Sequence, residues 1–230
     1  MKTIGLIGGM SWESTVTYYK NVNEVIKKEL GGFHSAKCIL YSVDFHEIEA
    51  LQAKGEWERS GELLAEAAAS LEKAGADFIV ICTNTMHKVA DIIQCRISIP
   101  ILHIAEATAD VLKQQALQKV ALLGTKYTML QDFYKDILID KGIEVLIPKN
   151  RDIDIINRTI YQELCLGIIS EESRREFLRI IDELAWQGAE GIILGCTEIG
   201  LLVGQADTKI PLFDTTDIHA TKAAMLSLRD

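Results

Sequence analysis

Apolar residues in this chain come in short unbroken runs, and longer stretches with a helical period separate them. Eight runs read as strands: "TIGLIG" (3–8), "KCILYSVD" (37–44), "DFIVICT" (77–83), "IPILHI" (99–104), "KVALLGT" (119–125), "IEVLIP" (143–148), "GIILGCT" (191–197) and "IPLFDT" (210–215). Between them, "ERSGELLAEAAASLEKAG" (58–75) and "SEESRREFLRIIDELAWQG" (170–188) carry apolar positions three and four apart, and residues 216–228 read as a last helix. Strands apolar on both faces and separated by helices indicate parallel sheet in an α/β fold.

The runs fall into two matching sets. Ile4 and Gly8 align with Val120 and Gly124, each 116 residues on. Leu71, Gly75, Ala76 and Asp77 align with Leu184, Gly188, Ala189 and Glu190 at a spacing of 113, and Pro100 with Pro211 at 111. Three landmarks in one order with slowly drifting spacing indicate an internal duplication. The predicted architecture is two pseudo-twofold-related domains, each a mainly parallel sheet flanked by helices. Residues 1–100 plus 214–230 form one and 101–213 the other, and the C-terminal helix returns to the first half. Ligands of such sheets bind beyond the carboxyl ends of the strands, so the active site is expected in the cleft between the halves. Gly8-Gly9-Met10-Ser11, Gly124-Thr125 and the stretches after Ile81 and Gly195 lie at such ends.

The net charge of −9 with no basic cluster excludes a nucleic-acid partner, which requires a positive footprint. No apolar segment approaches the ~20 residues of a membrane span, so no membrane partner is expected. Five cysteines, an odd number without a CxxC pair, indicate neither a disulfide framework nor a zinc site and fit a reducing cytoplasm. Neither a metal nor any other cofactor is expected.

"GLIGGMS" lacks the dinucleotide fingerprint and the phosphate-loop lysine. It reads as a tight turn into a helix whose free N–H groups could hold a substrate carboxylate. Thr128 and Gln131 have capping-box spacing, so Thr125 and Thr128 read first as caps. Cys38, Cys95 and Cys165 read as small core residues. Cys196 differs: Gly195 before it leaves room for a ligand, and Thr197 and Glu198 follow. A thiol titrating near 8.5 is a workable base once an environment lowers it.

"CTNTMH" (82–87) and "GCTEIG" (195–200), in halves of this length and with "GLIGGMSWEST" near the start, resemble the aspartate/glutamate racemase family over essentially the whole chain. The resemblance implies a cofactor-independent two-domain α/β enzyme, nearest the broad-specificity or L-aspartate/glutamate-type amino-acid racemases. In that family two cysteines face each other across the substrate Cα; one removes the α-proton and the other delivers a proton to the opposite face. It implies a small amino-acid substrate, allows a homodimer, and gives the second-half cysteine the L-enantiomer. Some aspartate-selective relatives bind the side-chain carboxylate with an Arg and a Lys. Here the region for the Arg, "SVDFHEIEALQAKGEW", has no Arg, and the region for the Lys, "IYQELCLG", has Cys165 and Leu166 about where that Lys would sit; Gln52 stands as the substitute, or as a solvated helix residue.

The first motif carries a shift of register. The family pattern has Cys before Asn-Thr; here Thr83 precedes Asn84-Thr85, and Cys82 lies one position earlier. The repeat agrees, since at a spacing of 113 Cys196 matches Thr83 and Cys82 matches Gly195. One residue along a strand reverses the side chain. The catalytic pair is therefore expected to be Cys196, a thiol base, and Thr83, which donates a proton or positions a water. An irregular strand end that turns Cys82 inward is the rival. Met10, Gln52, Asn84, Thr85, Thr125 and Thr197 are expected to bind substrate, and His87 is either a supporting partner or a structural histidine. Two other functions stay open: a single-thiol decarboxylase or isomerase of the same superfamily, and an amino-acid-binding protein without turnover.

Overall fold

The computed structural model describes residues 1–229. In order come β1 (Ile4–Gly8), α1 (Trp12–Leu30), β2 (Cys38–Ser42), α2 (Phe45–Lys54), α3 (Trp57–Lys73), β3 (Phe78–Ile81), a 3-10 turn (Thr85–Val89), α4 (Ala90–Gln94) and α5 (Ile104–Gln114). Then follow β4 (Lys119–Gly124), α6 (Lys126–Leu130), α7 (Asp132–Asp140), β5 (Glu144–Leu146), α8 (Asn150–Gln162), α9 (Glu171–Trp186), β6 (Gly191–Gly195), α10 (Ile199–Leu202), β7 (Leu212–Asp214) and α11 (Thr215–Ser227). The chain separates into two compact units: Met1–Ile104 with the chain from His219 onward, and Ala105–Ile218.

Each unit holds one parallel sheet. The first has the order β2-β1-β3 and the second β5-β4-β6-β7. "IPILHI", read as a fourth strand of the first unit, appears only as an isolated bridge between Ile101 and Ile79. Just beyond, the Leu102 carbonyl accepts a hydrogen bond from the His219 imidazole. The bridge stands where β7 stands in the second unit, so the two sheets share one topology.

The duplication is also visible bond by bond. β1 pairs with β3 through Ile4 and Phe78, and β4 with β6 through Val120 and Gly191, which preserves the sequence spacings of 116 and 113. The Asp77 carboxylate accepts from the Thr3 N–H, as Glu190 accepts from Lys119. Ile79 N–H donates to the Pro100 carbonyl, and Ile192 N–H to that of Pro211. Gly75 and Gly188 both have φ near +95°, the left-handed region open to glycine at a helix end. Two glutamines absent from the sequence reading complete the match. Gln94 donates to the Ile97 and Ile99 carbonyls and accepts from the Ile101 N–H. Gln205 donates to Thr208 and Ile210 and accepts from Leu212.

The strands alternate between two cores. In the first unit, Ile7, Ile79 and Ile81 pack with Leu64, Ala68 and Leu71 of α3. On the other face, Ile4, Leu6, Phe78, Val80 and Cys82 pack with Tyr18, Val22 and Ile26 of α1 and Ala220, Ala223 and Ala224 of α11. In the second unit, Ala121, Leu123, Ile192, Leu194 and Cys196 pack with α8 and α9, including Ile156, Ile160, Phe177 and Ile181. Each fully buried Ile, Leu or Phe contributes about 1.5–3 kcal/mol of transfer free energy. Of the cysteines read as core residues, Cys38 and Cys165 are half-buried but Cys95 is exposed. It ends the short α4 on its outer side.

Three imidazoles gather in the first unit where its chain leaves and returns. The His87 ring centroid lies 4.5 Å from that of His103 and 5.7 Å from that of His219. His219 donates from Nε2 to the Leu102 carbonyl at 2.8 Å, which leaves Nδ1 to accept from the Tyr18 hydroxyl at 2.9 Å. Burial pushes the His219 imidazolium down to about 3, with His103 and Lys222 adding to the shift against the Leu102 bond.

Gln94→Ala and Gln205→Ala each remove three hydrogen bonds at equivalent exposed places. Each is expected to lower stability by about 1–2 kcal/mol, with the two losses additive because the sites are separate. Urea titration of both variants and the double variant checks this; a loss confined to one glutamine contradicts the equivalence. His219 binds a proton when unfolded near pH 6.5 but not when folded until about pH 3. Its contribution to stability is complete above pH 6.5 and is lost as pH falls, by up to about 1.4 kcal/mol per pH unit. His219→Gln should start less stable at pH 7 and show a shallower acid slope between pH 6 and 4. Parallel slopes for the two proteins would contradict the buried neutral ring.

Candidate active site

The first unit presents its strand-end residues after β3. Past Ile81 the chain tightens, with the Thr83 N–H donating to the Ile81 carbonyl at 2.8 Å. Cys82 continues the Phe78–Val80 face into the core, has no exposed surface, and points its Sγ at the Val80 carbonyl at 3.8 Å. Burial pushes its thiol far up. Asn84, Thr85, Met86 and His87 are buried, while Thr83 between them and Cys82 is partly exposed.

Met10 is buried in the α3-side core with Ile48 and Met86. Gln52 is buried rather than solvated, and its Nε2 lies 2.9 Å from the Met86 Sδ. It projects from α2 (Phe45–Lys54), which Asp44 caps by accepting from the His46 N–H. Met10, Gln52 and Met86 thus form one apolar, polarizable cluster with an amide inside it. The turn before α1 is less free than the sequence suggests. The Gly9 N–H donates to Thr15 Oγ1 at 2.8 Å, and Ser11 caps the helix by accepting from the Ser14 N–H.

In the second unit Cys196 follows β6 and is 8% exposed. Its thiol donates to Glu198 Oε2 at 3.0 Å, and the Thr197 hydroxyl donates to the same oxygen at 2.8 Å. Burial, then the Glu198 carboxylate and Cys165, push the Cys196 thiol well up, so the resting group is S–H. Gly195 does not leave space for a ligand. A side chain there would meet Leu122 and the Leu123 carbonyl at 2.7 Å, so glycine is required for β6 to lie close against β4. The cap of α6 is Thr125, which accepts from the Thr128 N–H at 3.3 Å. Thr128 sits inside the helix, with its hydroxyl 3.2 Å from that of Thr125, and Gln131 ends it. The capping-box spacing places the cap three residues late, at Thr128, because Thr125, also read as a cap, supplies the acceptor.

Two groups escaped the sequence reading. Glu198 is one; its place two residues after Cys196 was the available signal. The other is the histidine trio, whose members lie 16 and 116 residues apart and share no spacing. His87 is buried, with Nδ1 2.8 Å from the Thr83 carbonyl and Nε2 3.2 Å from the Ile104 N–H. Both ring nitrogens of His87 and of His219 are engaged, so neither ring offers a free lone pair to a metal. Burial, with His103 and His219 nearby, pushes the His87 imidazolium well down. Among the described residues no helix is long and apolar enough to cross a membrane.

The chain matches the family model described as Asp/Glu/Hydantoin racemase over residues 7–223. It is 26% identical to the broad specificity amino-acid racemase RacX of Bacillus subtilis over 222 residues, 93% of this chain and 92% of that protein. A crystal structure from Yersinia pestis, described as a candidate Asp/Glu racemase, superposes with a TM-score of 0.93 at 59% identity and covers both chains fully. An aspartate racemase homologue from Pyrococcus horikoshii gives 0.86 at 37% identity, again over both whole chains. The chain belongs to the Asp/Glu/hydantoin racemase family and is an amino-acid racemase, an isomerase.

Proposed function

We propose that this enzyme interconverts amino-acid enantiomers without a cofactor, with Cys196 serving one face of Cα and Thr83 the other. The observation that carries the reading is the shared register of the two units. Carried past the paired residues, that register makes Thr83 and Cys196 equivalent positions, whereas Cys82 is equivalent to Gly195 and packs in the core.

Racemisation requires an acceptor for the α-proton on one face and a donor on the other. Cys196 rests as a thiol hydrogen-bonded to Glu198. To act as a base it passes its S–H proton to the Glu198 carboxylate; the thiolate then takes the α-proton of an L-amino acid. The electrons left on Cα delocalise into the substrate carboxylate, whose growing charge needs fixed donors. Asn84, Thr85, Thr125 and Thr197 are the hydroxyl and amide groups offered for that purpose. A proton delivered from the Thr83 side completes inversion. Gln52, beside Met86 and Met10, offers a neutral contact to the substrate side chain, which suits a broad rather than a strictly acidic preference. A similarity to an enzyme named for broad specificity agrees with this.

A single thiol with its own carboxylate would also serve a decarboxylase that protonates one face. Release of CO₂ from substituted malonates, without α-proton exchange in amino acids, would establish that second reading.

Cys196→Ala should abolish exchange of the α-proton with D₂O across a panel of acidic, neutral and basic L-amino acids, and Glu198→Gln should lower it by at least tenfold. Cys82→Ala should retain at least a tenth of wild-type exchange, at a stability cost on the order of 1 kcal/mol for one buried atom removed. Equal, near-total loss in folded Cys82→Ala and Cys196→Ala would remove the register argument.

The two faces should also differ. Mirror-image amino acids have an equilibrium constant of one, so kcat/KM must be equal in the two directions of inversion. Exchange without inversion carries no such constraint. L-substrates should gain deuterium faster than they invert, D-substrates little faster, and Thr83→Cys should raise the inversion rate. Identical exchange-to-inversion ratios for L and D, read by NMR and chiral chromatography, would count against Thr83.

A further inference from the structure

We propose that His87 is a positioning residue for this reaction, a neutral imidazole that ties the peptide of Thr83 to the first N–H of α5 and so holds Thr83 in place for proton delivery. The inference rests on the racemase reading above.

The geometry assigns the ring's tautomer. Nδ1 faces a carbonyl, that of Thr83, at 2.8 Å, so it must carry the proton. Nε2 faces the N–H of Ile104 at 3.2 Å and presents its lone pair there, and the Leu102 carbonyl lies beside the same ring. A protonated ring would set an N–H against an N–H at the start of α5, the positive end of the helix dipole. The crossover segment is held from its other side as well, since His219 donates to the Leu102 carbonyl. The ring is buried and its partners are backbone groups on segments that secondary structure fixes: α5 begins at Ile104, and the 3-10 turn begins two residues after Thr83.

Thr83 needs such a brace. It lies just beyond the last paired residue of β3, so the sheet does not fix its peptide. Its neighbours on either side are buried, but its own side chain is partly exposed. The carbonyl of Thr83 is the far end of the same residue whose hydroxyl is proposed to move a proton. Fixing that carbonyl sets the direction of the Cα–Cβ bond. Orientation of this kind is worth large factors in rate when the reacting atoms must meet closely. Cys196 lies in the other unit, so the ring's effect should fall on one face only.

Two variants divide the ring. In His87→Asn the side-chain amide nitrogen can occupy the place of Nδ1 and keep the bond to Thr83. In His87→Gln the longer amide reaches the place of Nε2 and keeps the bond to Ile104 but not the donor to Thr83. Wild type and both variants are incubated in D₂O with L-alanine, L-glutamate and L-lysine, and exchange is measured beside inversion. The expected result is exchange within about threefold of wild type in both variants, inversion within threefold in His87→Asn, and inversion at least tenfold lower in His87→Gln. Exchange and inversion lost together in both variants, or inversion unchanged in His87→Gln, overturns the inference and leaves the racemase reading standing. Absence of Cys196-dependent exchange in the wild type overturns both. If His87→Gln does not fold, long-range ¹H–¹⁵N correlation on the wild-type imidazoles decides. A proton on His87 Nδ1 and none on Nε2 is expected, and the opposite tautomer overturns the inference.

Discussion

The proposed chemistry of this protein depends on which way one residue points at the end of a central strand. β1 with β3, and β4 with β6, are paired in the same register, and each strand is packed on both faces. A slip of one residue would exchange the faces of a whole strand and bury the wrong set. In the first unit that constraint sends Phe78, Val80 and Cys82 one way and Ile79 and Ile81 the other. In the second it sends Ile192, Leu194 and Cys196 into the core shared with α8 and α9. Positions 82 and 195 are thereby tied to the packing of the sheet. At 195 no side chain fits at all.

The two units therefore share a frame and differ in what surrounds the strand end. In the second unit the residue two places after Cys196 is Glu198, whose oxygen takes the thiol proton and the Thr197 hydroxyl. The equivalent of Glu198 in the first unit is Thr85, which carries no charge. What supports Thr83 is instead the His87 imidazole on its carbonyl. On the proposed mechanism one unit is furnished to receive a proton and the other to hold a peptide still. That division follows from side chains, since the strands, the glycine-ended helices and the Gln94 and Gln205 clamps are alike.

Much of this was legible in the sequence because sheets impose strict bookkeeping. The spacings of 116, 113 and 111 appear directly as pairing partners and backbone hydrogen bonds. The features that were not legible are those set by distant atoms or by local competition. Gly195 reads as an opening for a ligand until β4 is seen lying against it. Thr125 takes the cap that the spacing of Thr128 and Gln131 suggests for a later residue. Cys95 reads as core, yet α4 stops at its outer side. The three histidines and Gln94 and Gln205 depend on contacts between backbone groups and side chains whose partners periodicity does not reveal.

The asymmetry also limits what Thr83 can do. An aliphatic hydroxyl, like water, ionises far less readily than a thiol. Each pKa unit between them adds about 1.36 kcal/mol to the cost of forming an alkoxide in place of a thiolate and slows the step about tenfold. On the proposed mechanism Thr83 therefore does not serve as a free alkoxide base. The hydroxyl can instead act as a relay: it gives its proton to Cα while its oxygen accepts another from a water, and the hydroxide left behind is neutralised by the proton that Glu198 returns to solvent. A relay asks for two hydrogen bonds aligned at once, a stricter geometric demand than a single transfer to a thiolate. The face with the weaker acid is thus the one whose backbone must be held most firmly. That is where the structure places the buried imidazole, on the Thr83 carbonyl.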